Sequence, residues 1–299
     1  PTPSRAQPYL MNAFVREYGP LDPNMNVAPF MIDIDPTERV WFTERGANRV
    51  GMLRSGSTTL VEYDAPVANI TWDILAQNQT AIWVSIFPSG YLARLDPVAS
   101  VWYIYSIGPV ANVLPAGIAI DGNGNIWFVD PINGKLGYLD ASMNYNLMVL
   151  YAGLPDEFKQ SWWLTTGPGK PESNYPGPKV YISDKDSQII WVLDIPSSTL
   201  FAFKKEVNYT TEFNVIKDGG PRREVWFAED QSPYVTEFIF NFTCAPKRYV
   251  LDPHQYRLAA EKVPAEPVER KVRIAEYPVS FVTEAQSPPG ICFRQWKWA

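Results

Sequence analysis

This chain of 299 residues contains one histidine, His254, and two cysteines, Cys244 and Cys292. A single histidine excludes any site that needs two imidazoles from one chain. The cysteines have neither CxxC nor metal-ligand spacing, so they read as two buried thiols or as one disulfide. Charge is also scarce. Charged residues make up 19% of the chain, the net charge is −6, and no basic run occurs. A nucleic-acid partner needs a positive stripe that this sequence lacks. No apolar run approaches the ~20 residues that span a bilayer, so no membrane span is expected in this chain. It begins at Pro1 rather than Met, as a processed or trimmed product does.

What the sequence has is a recurring phrase. V-W-F-T-E at 40–44 is followed by N-R-V-G-M-L at 48–53. I-W-F-V-D at 126–130 precedes N-G-K-L-G-Y-L-D at 133–140, and V-W-F-A-E at 225–229 precedes Y-V-T-E-F at 234–238. Weaker copies stand at 82–86, 180–184 and 272–276. The key position holds Trp41, Trp83, Trp127, Tyr181, Trp226 and Arg273, at intervals of 42, 44, 54, 45 and 47 residues. A period of about 40–45 residues, rich in β-branched and aromatic residues, is the mark of a β-propeller. Each repeat parses as four strands; in the first they are Phe30–Ile34, Arg39–Thr43, Arg49–Arg54 and Thr58–Tyr63. The sixth is degenerate, with strands expected at Tyr256–Val263, Lys271–Ala275, Ser280–Glu284 and Ile291–Trp298. The expectation is therefore an all-β chain: an irregular leader over 1–12, then one propeller domain over 13–299. It has six four-stranded blades (seven as the alternative). An N-terminal strand, Phe14–Tyr18, pairs with the last blade and removes its open edge.

The repeated aromatic reads as core, because a large ring filling the wedge between sheets dominates such an interface. The small residue in the third strand, Gly51 or Gly137, is expected to let a neighbouring backbone approach.

The phrases V-W-F-T-E…N-R-V-G-M-L and G-I-A-I-D-G-N-G-N-I-W-F-V-D…N-G-K-L-G-Y-L-D resemble the repeats of the streptogramin (virginiamycin) B lyase family. More loosely, they resemble NHL repeats and gluconolactonase-type propellers. The resemblance covers roughly residues 28–250 and implies the propeller fold. It implies a lyase with a histidine-containing acid/base site and bound magnesium, or a lactone hydrolase with a divalent metal held by Glu, Asn and Asp. His254 is the only histidine available, so the lyase pattern does not transfer residue by residue.

One acidic position recurs at the end of the second strand: Glu44, Asp130, Asp184, Glu229 and Glu276, with Ile86 in the second repeat. Equivalent positions in a propeller form a ring. Such carboxylates suit a hard cation, Ca or Mg, or an acid and base with split pKa values; equally, they cap turns within the repeat. A second candidate is the insert Gly167–Lys179, a Pro/Gly-rich loop carrying Lys170, Tyr175 and Lys179. Four N-x-T sequons, at Asn69, Asn78, Asn208 and Asn241, fit an extracellular or cell-surface glycoprotein. The expectation is a non-catalytic binding or assembly module with a protein or glycan partner at the cell surface. The alternative is the metal-dependent lyase or lactone hydrolase.

Overall fold

The computed structural model describes residues 14–19, 26–54, 56–168, 177–184, 189–204, 213–218, 225–229, 234–238, 246–278 and 293–297. Strand β1 (Phe14–Gly19) comes first. Four consecutive antiparallel strands then build each of the first four blades. Blade 1 holds β2 (Pro29–Ile34), β3 (Arg39–Glu44), β4 (Arg49–Arg54) and β5 (Thr59–Asp64). Blade 2 holds β6 (Ile70–Asn78), β7 (Ala81–Phe87), β8 (Tyr91–Asp96) and β9 (Val101–Ser106). Blade 3 holds β10 (Ile118–Ile120), β11 (Ile126–Asp130), β12 (Lys135–Leu139) and β13 (Leu147–Ala152). Blade 4 holds β14 (Ser161–Gly167), β15 (Lys179–Asp184), β16 (Ile189–Asp194) and β17 (Thr199–Lys204). Blade 5 begins with β18 (Phe213–Asp218), β19 (Val225–Glu229) and β20 (Tyr234–Phe238). The repeat parse therefore survives through four copies and the first three strands of the fifth; the fourth strand expected there, Arg248–Leu251, pairs instead with β17 of blade 4.

Alternation along the second strand explains the recurring phrase. Trp41 and Thr43 face one side of β3, while Phe42 and Glu44 face the other. Trp41, Trp83 and Trp127 are fully buried, each between its own blade and the next. Burying about 200 Å² of indole at about 25 cal/mol/Å² contributes on the order of 5 kcal/mol before entropy. Each indole N–H is also satisfied by a residue six positions earlier. Trp41 Nε1 donates to Asp35 Oδ2 (2.9 Å), Trp83 Nε1 to Gln77 Oε1 (2.9 Å) and Trp127 Nε1 to Asp121 Oδ2 (2.8 Å). The two carboxylates cap the inner turn as well. Asp121 accepts from the backbone N–H of Asn123 and Asn125 and from the Asn125 amide. Burial would raise the Asp35 carboxyl; hydrogen bonds from Thr37, Trp41 and Arg39 outweigh it and hold the group well below the usual carboxylate range.

The close approach expected of the neighbouring backbone is found at Gly137, whereas Gly51 makes room for a side chain. Gly51 lies opposite Phe42, and a Cβ there would sit 2.3 Å from the Phe42 ring. Gly137 lies opposite Phe128, and its Cβ would meet both that ring and the Val149 carbonyl.

The sixth repeat is not a blade. After residue 246 the chain turns back and adds a fifth strand to the rim of four blades in reverse order. β21 (Lys247–Val250) pairs with β17 of blade 4, and β22 (Asp252–Arg257) with β13 of blade 3. β23 (Ala260–Pro264) pairs with β9 of blade 2, and β24 (Pro267–Lys271) with β5 of blade 1. β25 (Arg273–Pro278) then pairs with β1, and β26 (Phe293–Lys297) completes blade 5. The N-terminal strand thus pairs with this belt rather than with the last blade.

The belt keeps a period of seven. Leu251, Leu258, Ala265 and Val272 each donate a backbone N–H to a carbonyl at the turn before a blade's last strand: Ser198, Asn146, Ser100 and Thr58. Seven extended residues reach about 23 Å, one step between neighbouring rims. Pro253, Pro264 and Pro267 sit within these strands, which only an edge position tolerates. Mostly exposed belt side chains and those prolines are what rule out the inner and second strands expected at 256–263 and 271–275. No helix among the described residues is long and apolar enough to cross a membrane.

Replacing Asp121 with Ala strands the buried Trp127 N–H and uncaps its turn. Urea denaturation is expected to show a loss of roughly 2–4 kcal/mol. A loss below about 0.5 kcal/mol would show that the carboxylate does not hold the blade.

Candidate functional site

The inner strands β2, β6, β10 and β14 line a channel cavity of about 310 Å³. Two carboxylates absent from the sequence-based set, Asp33 and Asp73, sit on it, and both bind backbone. Asp33 Oδ2 accepts from Ala76 N (2.8 Å), and Asp73 Oδ2 accepts from Ile118 N (2.8 Å). Each ties one blade's inner strand to the next. The Thr166 hydroxyl makes the same link to the Ile120 carbonyl. An acid in the inner strand, in the runs M-I-D-I and T-W-D-I-L, was the available signal for this role.

At the end where the inner strands begin, the channel meets an aromatic cluster. Trp72 lies 5.1 Å from Phe30, 5.1 Å from Phe87 and 5.2 Å from Trp162 between ring centroids, and is stacked on Trp163 at 6.1 Å. Close approach of the chain makes this possible, because Gly117 abuts the Trp162 carbonyl, where any Cβ would collide at 2.3 Å. Arg45, from the turn after β3, lays its guanidinium 4.3 Å from the Trp72 ring and 5.1 Å from Phe30. It forms no ion pair with any described carboxylate. Phe30 is 38% exposed, and the Trp72 indole N–H is buried without a hydrogen-bond partner among the described residues.

The recurring acids do not line the channel. Glu44, Asp130 and Asp184 end the second strands of blades 1, 3 and 4, and all three are fully buried. Asp130 accepts four hydrogen bonds, from the backbone of Leu114, Ile132 and Asn133 and from the Asn133 amide, and so caps a turn. The side chain of Glu229 lies outside the described residues. Glu276 belongs to belt strand β25, opposite Arg16, and so leaves the proposed ring. Among the described residues no group of three His, Cys, Asp or Glu side chains converges as a metal site.

Glu44 is the exception in chemistry. Neither of its oxygens has a hydrogen-bond partner among the described residues. Burial pushes its carboxyl up to about 7, the adjacent Glu62 carboxylate adds to the rise, and Arg49 and Arg270 oppose it. Glu62 is itself held by belt residue Arg270 at 2.6 Å and by Arg49 at 3.6 Å.

The remaining sequence candidates scatter. Lys179 is not a loop contact; it is buried in β15 and paired with Asp194 at 2.7 Å, which removes it from any binding surface. Lys170 and Tyr175 lie outside the described residues, as do Cys244, Cys292, Asn208 and Asn241. Asn69 and Asn78 are exposed, and Asn78 Oδ1 accepts from both the N–H and the hydroxyl of Thr80. His254 lies on β22 at the rim, opposite Leu150, in an exposed contact of 3.3 Å with Asp252.

No protein family and no curated protein matches the sequence. Solved structures do match the fold. Virginiamycin B lyase from Staphylococcus aureus is similar at a TM-score of 0.63 and 15% identity, over 90% of each chain. A streptogramin B lyase structure is similar at 0.53 and 18%, over 80% of this chain and 88% of that one. The extracellular domain of a hybrid two-component system from B. thetaiotaomicron is similar at 0.50 and 15%, over 74% of this chain and 30% of that one. At these identities the likeness is one of fold.

Glu44 sets a pH dependence whose sign is fixed. Its folded value of about 7 lies above its ordinary 4.5, so the folded state holds the proton more tightly. That contribution is complete below about pH 4.5 and is lost as the pH rises through 7. Glu44→Gln is expected to match the parent at pH 4.5 and to exceed it by about 3 kcal/mol at pH 8, in urea denaturation. Parallel stability curves for the two proteins would overturn the assignment.

Proposed function

We propose that this chain is an extracellular or cell-surface binding and assembly module, with the aromatic mouth of the channel as its contact face. The observation that carries this reading is Arg45. Its guanidinium lies 4.3 Å from the Trp72 ring beside the exposed Phe30, with no acidic partner among the described residues. Tryptophan and arginine are the residues that most often dominate binding energy. A stacked guanidinium keeps its N–H edge free for a carboxylate or a hydroxyl-rich partner. The exposed sequons at Asn69 and Asn78 and the fold shared with an extracellular sensor domain support the location. A protein or glycan partner suits this surface.

The rival reading is a metal-dependent lyase or lactone hydrolase. It is favoured by the fold shared with the streptogramin lyases and by Glu44, an acid that keeps its proton near neutrality. One divalent ion per chain in native mass spectrometry, with ring opening of a streptogramin B or a lactone, would select it.

The test of the binding reading compares the folded parent with Arg45→Glu and Trp162→Ala on a glycan array and a displayed-protein library. Ligands of the parent are expected to lose at least 10-fold in affinity for each variant, as for a central contact. Ligands retained at full affinity by both variants would remove the mouth as the contact face.

A further inference from the structure

A second cavity, of about 560 Å³, lies at the rim between blades 2 and 3. It exists because the belt steps there from one blade to the next. Residues 258–260 bridge the gap, Leu258 N–H binding the Asn146 carbonyl and Ala260 pairing with Tyr105. The walls come from three sources: Arg94 on β8 with Tyr103 and Tyr105 on β9, Asn144 and Asn146 before β13, and Lys262 on belt strand β23.

The electrostatics of this cavity are unbalanced. The Arg94 guanidinium lies 4.3 Å from the Tyr103 ring, and the Lys262 ammonium lies 5.1 Å from the same ring. No acidic residue lines the cavity, and neither cation has an ion-pair partner among the described residues. The Arg94 Nε–H is buried without a hydrogen-bond acceptor among the described residues. In a chain of net charge −6, two cations flank one ring, Arg94 and Lys262 each standing opposite Tyr103 on its two neighbouring strands, with no counterion among the described residues. The rest of the wall is polar and neutral. Burial pushes the Tyr105 hydroxyl up to about 12, the nearby Arg94 opposing, so it stays a protonated donor. Asn144 and Asn146 add amides that both donate and accept.

We propose that this cavity binds a small polar molecule carrying a phosphate or sulfate group, with the oxyanion between Arg94 and Lys262. Arg94 supplies a planar fork suited to tetrahedral oxyanions, and Lys262 a point charge. Asn144, Asn146 and the tyrosine hydroxyls face the hydroxyl-bearing body. A volume of about 560 Å³ exceeds what a bare ion fills and suits a sugar-sized ligand. Binding spans two blades and the belt, so the ligand fastens the belt at its step. The site stands apart from the channel mouth and does not depend on the function proposed for it.

Isothermal titration calorimetry on the full chain tests this with glucose 6-phosphate, glucose 6-sulfate and glucose. Both esters are expected to bind with a submillimolar Kd that weakens with salt, and glucose is not. Arg94→Met and Lys262→Ala are each expected to weaken the esters roughly 10-fold or more, the loss typical of one charge-assisted contact. Lys262 is exposed on the belt, so its variant keeps the test decisive even where Arg94→Met fails to fold. Absence of ester binding at 10 mM (about tenfold above the expected ceiling), or equal binding by Lys262→Ala, would overturn the proposal.

Discussion

The structure depends on one pairing: a buried indole N–H held by an acceptor six residues upstream, at the turn that opens the same hairpin. A tryptophan in a wedge between sheets supplies apolar area, but its N–H would be stranded there. Asp35, Gln77 and Asp121 remove that cost, and the two aspartates fix the turn at the same time. Sheet, turn and wedge are therefore set by one local contact repeated from blade to blade. Blade 4 departs from it. Trp191 enters the core from the third strand, opposite Ile182, and its N–H has no partner among the described residues. Tyr181 occupies the usual position there.

The blades were legible because that contact is local. The spacing of Trp41, Trp83 and Trp127, the alternation around them and the turn glycines all lie within short windows of sequence. The acceptor six residues before each tryptophan was equally visible and went unread. The belt was illegible for a different reason. Its strands pair with partners as distant as Phe14 with Pro278, and their side chains carry little apolar pattern. What marked them was an interval of seven, Leu251 to Leu258 to Ala265 to Val272, and prolines inside strands. Those signs point to edge strands, whereas the V-R-I-A-E echo at 272–276 pointed to a blade.

The same division governs the candidate sites. Acids that belong to the repeat serve the fold, as Asp130 does at its turn and Asp33 and Asp73 do between inner strands. Among the described residues, Arg45 in the turn beyond β3, Arg94 on β8 and Lys262 on the belt lack an ion-pair partner, and Glu44, a repeat acid beside the belt-bound Glu62, lacks a hydrogen-bond partner. Neither kind of site is readable from spacing alone, because each needs elements far apart in the chain to meet. The belt also pairs the outer edges of four blades and moves the open edge onto short, proline-bearing strands, which are poor templates for edge-to-edge association.

The central claim is that the recurring carboxylates are packed into the blades and hold no metal, while the proposed ligands bind at the channel mouth or in the belt cavity. A crystal structure of the protein purified from its natural source tests it most directly. The account predicts Glu44, Asp130 and Asp184 in contact with protein alone, and bound material at the aromatic mouth or in the belt cavity. A metal ion coordinated by any of those three carboxylates would contradict it.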